Sequence, residues 1–505
     1  MNLARLTSSA PGPAFWVFLI AVALSYGALC GIFPLGAVLL GAALVFGAVG
    51  MAVPLHWMIS LELLLGAIVA GSIEYFLGFA QAHWIPFLLG LLLGLRALIE
   101  RPPLATRLAH RHTGFNALGN DPALFWYPAA VYLFAMLATV VINLPPLGQV
   151  LVAMKNYVFL WGVLLAYLGT RAFDSASRAT WTVVILAAVV QLPVVLYQKV
   201  FVASRLSNAG GAAGLSWDAI SGTFGGGLLG GHSATMAFFV TIALTYSLVR
   251  WLERRWSLWR LLFIAAFTIP SLFLAEVKAV LVWLAIAGLL VFVRRIGSRP
   301  LLFLAGCATL SVLLVSIVLA YKSMYYEGSR TISIDELWEK QVYYVFEPNK
   351  FNTQTREMGR AASVVFWWRQ HDASEPAEML LGHGLGASRG ISTFAVGEVA
   401  RKFWFFIDTS SMTTLLWDTG AIGFLSFVAM LSLGAFQAFR LASTNYLTDD
   451  TRLQVEVAAI GLVLILSAVP YNRDAIDNAA MQCLMFFFLA LVVRAKWSMT
   501  DARRQ

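Results

Sequence analysis

A succession of apolar runs, each about 20 residues long, governs what this chain can fold into. A helix that crosses a bilayer needs about 17–25 mostly apolar residues at about 1.5 Å of rise each. Runs of this kind lie near 14–30, 32–50, 56–78, 83–99, 124–143, 150–170, 179–200, 227–250, 258–275, 277–295, 301–321, 411–440, 453–470 and 475–494. They predict an all-α polytopic membrane protein with about fourteen transmembrane helices. Twelve is the lower bound, because the first two runs are short and can form one broken hairpin. Composition agrees: of 505 residues, 60% are hydrophobic and only 12% charged. Soluble domains carry roughly 45–50% and 25%. A soluble enzyme, a disordered chain and a fibrous repeat are excluded.

The formal net charge of +9 reads as topology rather than nucleic-acid binding. With the N-terminus inside, the inside loops hold Arg101, Arg107 and Arg111; Arg171 and Arg178; Arg250, Arg254, Arg255 and Arg260; Arg294, Arg295 and Arg299; and Arg440 and Arg452. The C-terminus adds Arg494, Lys496, Arg503 and Arg504. Short outside loops are nearly bare apart from Lys155, Lys199, Arg205, Lys278 and Arg473. No small-x-small cleavage site ends the first run, which predicts an uncleaved span. Cys30, Cys307 and Cys483 all sit in apolar runs, which argues against a disulfide framework or a metal cluster.

One large polar loop, 322–409, interrupts the helices and falls outside. It divides the chain into 1–321 (helices 1–11), the loop, and 410–505 (helices 12–14 and the inside C-terminus). Loops this long are uncommon unless functional. Ile334–Val345 and Arg356–His371 read as helices, the second with Arg356 and Arg360 on one face and Val364, Val365 and Trp368 on the membrane side. Gly382–Gly386 predicts a tight Gly-rich turn. Ser392–Phe406 reads as a further helix ending in aromatics.

Ionisable groups inside spans are costly and informative. Glu62 and Glu74 share one span at i and i+12, as buried structural hydrogen bonds or as a polar track. Lys278, two residues after Glu276, is either a snorkelling lysine paired to that glutamate or a cation for a lipid-linked phosphate. The outside segment 201–227 is Gly-rich, through Asn208–Gly211 and Ser221–Gly227, and is a flexible loop or an anion-binding turn. No HExxH, GxSxG or paired metal-ligand spacing is present. His56, His83 and His232 lie near span ends with no partner pattern.

Four segments then follow in order: Ser221-Gly-Thr-Phe-Gly before a span; a span hairpin with Lys278; an outer loop with Arg360, a Trp-rich helix and Leu381-Gly-His-Gly-Leu-Gly386; and Leu415-Leu-Trp-Asp-Thr-Gly-Ala-Ile-Gly423 opening the next span. Over residues 150 to 440 this order resembles the O-antigen ligase and O-antigen polymerase superfamily. These are multispan glycosyltransferases with polyprenyl-diphosphate-linked donors. The resemblance implies a GT-C-like membrane fold and a metal-independent, cofactor-free transfer at the periplasmic face of the bacterial inner membrane. It implies diphosphate binding by Lys278, Arg360, Arg356 and Arg389. Its partners would be a polyprenyl-diphosphate-linked oligosaccharide, membrane lipids, a flippase and chain-length or export proteins, and no nucleic acid.

Ligases of this superfamily usually carry a His-Asn pair about eleven residues before a Leu-Gly-Ile-Gly-like motif, and the matching place here, near Thr409 in Phe406-Ile-Asp-Thr-Ser-Ser411, has no histidine. That favours a polymerase. Asp408, Glu276 and His383 are the candidate bases. Lysine at 278, where ligases tend to have arginine, keeps the charge and loses the bidentate fork. The expected activity is therefore polymerisation of lipid-linked repeat units. The alternatives are a ligase moving a finished glycan to a lipid or protein, a flippase or transporter, and a non-catalytic scaffold. Transporters often show two related halves, and no such repeat is visible here.

Overall fold

The structure is a computed structural model that describes residues 47–48, 50–100, 123–203, 220–227, 230–275, 277–297, 299–326, 345–353, 356–371, 376–390 and 395–504. Met1–Pro54 separates as a compact unit from Leu55–Gln505. The first two predicted spans, Cys30, the loop residues Arg101, Arg107 and Arg111, Arg205, the helix predicted at Ile334–Val345 and the carboxylate of Glu276 lie outside the described residues, or nearly so.

Each of the other predicted spans is a helix. They are α1 (Leu55–Leu77), α2 (Ala80–Ile99), α3 (Trp126–Asn143), α4 (Leu147–Gly169), α5 (Phe173–Ala203) and α6 (Ser233–Leu252). Then follow α7 (Leu258–Leu274), α8 (Ala279–Val293) and α9 (Pro300–Tyr326). The outer loop contributes α10 (Arg360–Gln370) and α11 (Pro376–Leu381). The chain closes with α12 (Ser411–Ala442), α13 (Asp449–Ala468), the one-turn α14 (Asp474–Asp477) and α15 (Ala479–Arg504). Among the described residues, nine helices are long and apolar enough to cross a membrane, and three carry shorter apolar stretches. The chain is a multi-pass α-helical membrane protein.

Helices apolar on every side belong in the middle of a bundle. Over its apolar window α15 is 94% buried, against 28% for α3. Three consecutive phenylalanines, Phe486, Phe487 and Phe488, are therefore all buried. In α3, by contrast, Phe134, Leu137 and Val141 stay open to the surroundings. Helix α12 packs on α13 and α3, and α15 on α13 and α4. Helices α2 and α4 cross through Gly90 and Gly94 on one and Gly162 on the other. A methyl group at Gly162 would overlap the Gly90 carbonyl. Small residues four apart let backbones touch in this way in membranes.

Among the described residues, three helices carry a π turn: Leu65–Val69 in α1, Lys155–Phe159 in α4 and Gln198–Ala203 in α5. Such turns shift the helix register and recur at functional sites. Here they redirect polar side chains. Gln198 accepts from Ser221 and Gly222, and Gln191 from Thr223, while the Thr223 hydroxyl donates to Ala67 O of the first π turn at 2.7 Å. The Gly-rich segment 220–226 is thus buried and fixed between helices; this is an anchored turn rather than a flexible loop.

Helix α12 is broken at Gly420 (φ 68°), where only glycine is comfortable. The break frees carbonyls that lipid could not satisfy. The outer loop satisfies them. His383 N donates to Trp417 O (2.9 Å), Gly384 N to Asp418 O (3.2 Å) and Trp367 Nε1 to Leu416 O (3.1 Å). The predicted tight turn at Gly382–Gly386 is present, with positive φ at Gly382, Gly384 and Gly386. It docks on the last of the four segments of the resemblance, Leu415–Gly423.

Three predictions about the loop need correction. Arg356 is not helical. It occupies a left-handed position (φ 59°) beside a small hairpin of β1 (Phe351–Asn352) and β2 (Glu357–Met358), and the helix starts only at Arg360, so the two arginines do not share a face. Trp367 packs inward and Trp368 is 60% exposed, because the indole N–H of Trp367 finds the carbonyl of Leu416 near the break. Over Ser392–Phe406 the described part is extended chain with one 3-10 turn, Ala400–Lys402. Its aromatics Phe403 and Phe405 pack with Phe366 and Phe351, and Phe403 and Phe366 reach Trp417.

Candidate functional site

The connection from α13 to α15 is only ten residues long, Val469–Asn478, yet it holds Asn472, Arg473, Asp474, Asp477 and Asn478 between two apolar helices. It is anchored on the start of α12. Ser411 N donates to Asn472 O (2.7 Å) and Met412 N to Val469 O (3.0 Å), which satisfies two of the orphan N–H groups of that helix end. Ser410 caps the same end by accepting from Thr413 N.

Charged groups converge on this turn from several elements. Arg473 donates to Asp408 Oδ2 at 2.5 Å and lies 3.6 Å from Asp477 Oδ2. Arg389, from the outer loop, contacts Asp477 Oδ1 at 3.2 Å, and Asn156 of the α4 π turn donates to the same oxygen at 2.6 Å. Burial alone would raise the Asp477 carboxyl, but Arg389, Arg473 and Lys155 together hold it below its ordinary value. Burial wins at Asp408, whose carboxyl stays raised although Arg473 opposes the shift. The other oxygen of Asp408 is buried with no hydrogen-bond partner among the described residues.

Two histidine–carboxylate pairs lie alongside. His83 Nε2 meets Glu74 Oε2 at 2.6 Å, and Gly226 N donates to that same oxygen at 2.6 Å. His232, just ahead of α6, meets Asp474 Oδ1 through Nδ1 at 2.9 Å, and Asn472 Nδ2 donates to Asp474 Oδ2 at 2.7 Å. The two imidazole rings are 5.9 Å apart. Burial would lower the His232 imidazole, but the hydrogen bond and charge of Asp474, with Glu74 and Asp477 behind it, raise it. Lys155 completes the set, with its ammonium 5.0 Å from the Trp84 ring and 4.9 Å from the Phe87 ring.

The residues singled out from sequence divide into two groups. Asp408 and Arg389 belong to this cluster. Arg360 borders it: its guanidinium donates to Thr409 O, beside Asp408, and sits 5.9 Å from the Tyr471 ring. Lys278 is exposed at the start of α8; its carbonyl accepts from Leu281 N, and its side chain has no hydrogen bond or ion pair among the described residues. Arg356 is exposed at its hairpin. His383 belongs to a separate stack with His371 (3.0 Å between Nε2 atoms) and Trp417; burial, then His371 and Lys402, lower its imidazole to about 4. Glu276 lies outside the described residues. Glu62 and Glu74 do not form one track: Glu62 accepts from Cys483 Sγ at 3.5 Å deep in the bundle, while Glu74 serves His83 and the Gly-rich turn.

Sequence reasoning missed Asp474, Asp477, Asn156 and the partners of His83 and His232. It noted Lys155 and Arg473 only as exceptions to the charge rule. The available signal was the density of polar residues in Tyr471-Asn-Arg-Asp-Ala-Ile-Asp-Asn478, which is far above what a short membrane connector needs.

No protein-family model matches the chain, and no curated protein matches it. What the cluster can do is set by its own chemistry. Partly exposed cations that are pre-positioned by carboxylates can receive a polyanion, and neighbouring carboxylates and imidazoles can move protons.

Proposed function

We propose that the protein polymerises polyprenyl-diphosphate-linked repeat units at the periplasmic face of the bacterial inner membrane. Fourteen spans, with both termini in the cytoplasm, put loop 327–410, the turn 469–478 and the start of α6 on one side and the arginine-rich helix ends on the other. The observation that carries the reading is the convergence of Arg389, Arg473 and Lys155 on Asp477, at the mouth of a bundle whose outer helices expose aliphatic surface. A diphosphate leaving group needs that kind of positive site, and cations positioned in advance stabilise charge that develops on the departing oxygen. Asp477 holds Arg389 and Arg473 in place until the diphosphate displaces it. The 3.6 Å contact to Arg473 is the longer of the two and yields first. Arg360 and Lys278 would serve the glycan or the headgroup region farther out.

The missing histidine near Thr409 favours polymerase over ligase. Purified protein in lipid, given a matched polyprenyl-diphosphate-linked repeat unit with chelator present, should release polyprenyl diphosphate and produce a ladder of longer lipid-linked glycans by mass spectrometry. Movement of the lipid across the bilayer without any ladder would reassign the protein to transport.

A further inference from the structure

A glycosyl transfer of this kind needs a group to take the proton of the acceptor hydroxyl, and most of the groups in the cluster are already committed. Asp477 accepts from Asn156 and pairs with two arginines. Asp408 is tied to Arg473. Glu74 Oε2 accepts from Gly226 N and also occupies His83 Nε2. His383 stands in its own stack with His371.

His232 is different. Its Nδ1 is engaged by Asp474, whose second oxygen is held by Asn472, so the ring is oriented from two positions of one turn. Its Nε2 has no hydrogen-bond partner among the described residues, and its side chain is 29% exposed while that of Asp474 is 9% exposed. With Nδ1–H donated to a carboxylate, the neutral ring presents a lone pair at Nε2. An oriented histidine of this form is how proton abstraction is commonly built.

We propose that His232, held by Asp474, is the general base for the acceptor hydroxyl; this rests on the glycosyl-transfer reading above. In the step, the acceptor oxygen forms a bond to the anomeric carbon of the donor. The bond from that carbon to the bridging phosphate oxygen breaks, and its electron pair stays on the polyprenyl diphosphate beside Arg389, Arg473 and Lys155. The hydroxyl proton passes to His232 Nε2 and then to water. The groups that face this imidazole are Asp474 and Asp477 from the turn, Glu74 from α1 and His83 from α2; Lys155 from α4 faces Glu74 and Asp477. Three carboxylates favour the protonated ring, so the base becomes available only above the ordinary imidazole range of about 6.5.

The test is the pH dependence of ladder formation by the full-length protein in lipid with the matched repeat unit. Wild type should show an acid limb in kcat/KM lying above about pH 6.5. Asp474→Asn, nearly isosteric, should slow the reaction and move that limb to lower pH. His232→Gln should lower kcat by about 10²–10⁴-fold with KM within a few-fold, and lose the limb. If His232→Gln keeps wild-type kcat and the same limb, or if the limb stays in place in Asp474→Asn, His232 is not the base. If wild type itself makes no ladder, the glycosyl-transfer reading falls and the base role with it. A ladder in wild type that forms at the wild-type rate in His232→Gln removes only the base role.

Discussion

The two ends of the bundle use arginine in opposite ways. At the arginine-rich end the guanidinium groups close helix termini. Arg494 donates to the carbonyls of Tyr167, Leu168 and Thr170 where α4 ends, Arg294 to Ala442 O where α12 ends, and Arg299 to Leu252 O where α6 ends. Cations suit these positions because unsatisfied carbonyls and the helix dipole are both negative there. Carboxylates at this end complete the arrangement: Arg295 bridges Glu456 (2.9 Å) and Glu253 (3.0 Å). At the other end the guanidinium groups of Arg389 and Arg473 meet carboxylates rather than helix-end carbonyls. They meet Asp408, which is buried, and Asp477, which is partly exposed; under the proposed function an incoming anion takes the place of Asp477. Both ends keep buried polar atoms with no hydrogen-bond partner among the described residues: Arg250 Nε and Arg494 Nε at the first, Asp408 Oδ1, Asn156 Oδ1 and Arg360 Nε at the second. What differs is the partner, helix-end carbonyls at the first end and carboxylates at the second.

This contrast can be broken by pairs of substitutions. The largest effect on stability should come from Arg295→Ala, which leaves Glu456 buried with its closest counter-charge gone. We expect a loss of about 3–5 kcal/mol in reversible unfolding in detergent, with the rate per folded molecule within about twofold of wild type. Arg389→Ala and Lys155→Ala should do the reverse. Each should cut ladder formation about 10²–10³-fold, as loss of one charge-stabilising donor does, while the protein remains folded. Equal losses of stability and activity at both ends would erase the distinction.

Gly162→Ala tests the frame shared by the two ends. The added methyl group meets the Gly90 carbonyl, and overpacking of this kind costs about 1–3 kcal/mol by thermal unfolding. A smaller effect concerns pH. Because the folded state raises His232, its contribution to stability is complete below about pH 6.5 and is lost as pH rises through the folded value. His232→Gln should flatten that part of the melting-temperature profile. Asp477 has the opposite sign: its contribution is present above about pH 3.9 and lost on acidification through its lowered value. Arg255→Ala should change least. The pair it makes with Asp449 is 48% and 60% exposed, and such pairs contribute about 0–1 kcal/mol.

The helices were legible because their apolar runs exceed what any soluble core requires, and the Gly-rich turn at 382–386 because alternate glycines permit little else. The docking of that turn on the broken helix at Gly420 was visible only as two neighbouring motifs. The candidate site was harder to see. Asp408 and Arg389 were found, but Arg473 and Asp477 are brought to Asp408 and Arg389 only when a ten-residue turn folds over the start of α12. Asn156 faces Asp477 because a π turn rotates it there, and hydrophobic periodicity carries no mark of an inserted residue. The His232–Asp474 pair joins residues 242 positions apart, a separation at which single-sequence patterns are silent.

The broken helix also has a consequence for biogenesis. When α12 enters the membrane, the carbonyls around Trp417 and Asp418 need partners at once, and their partners lie in chain already made. Because the ribosome delivers the loop bearing Trp367, His383 and Gly384 before α12, the segment that completes the helix is waiting when the helix emerges. Moving that loop to follow α12 in a circularly permuted chain would reverse the order of arrival and leave the break exposed during insertion.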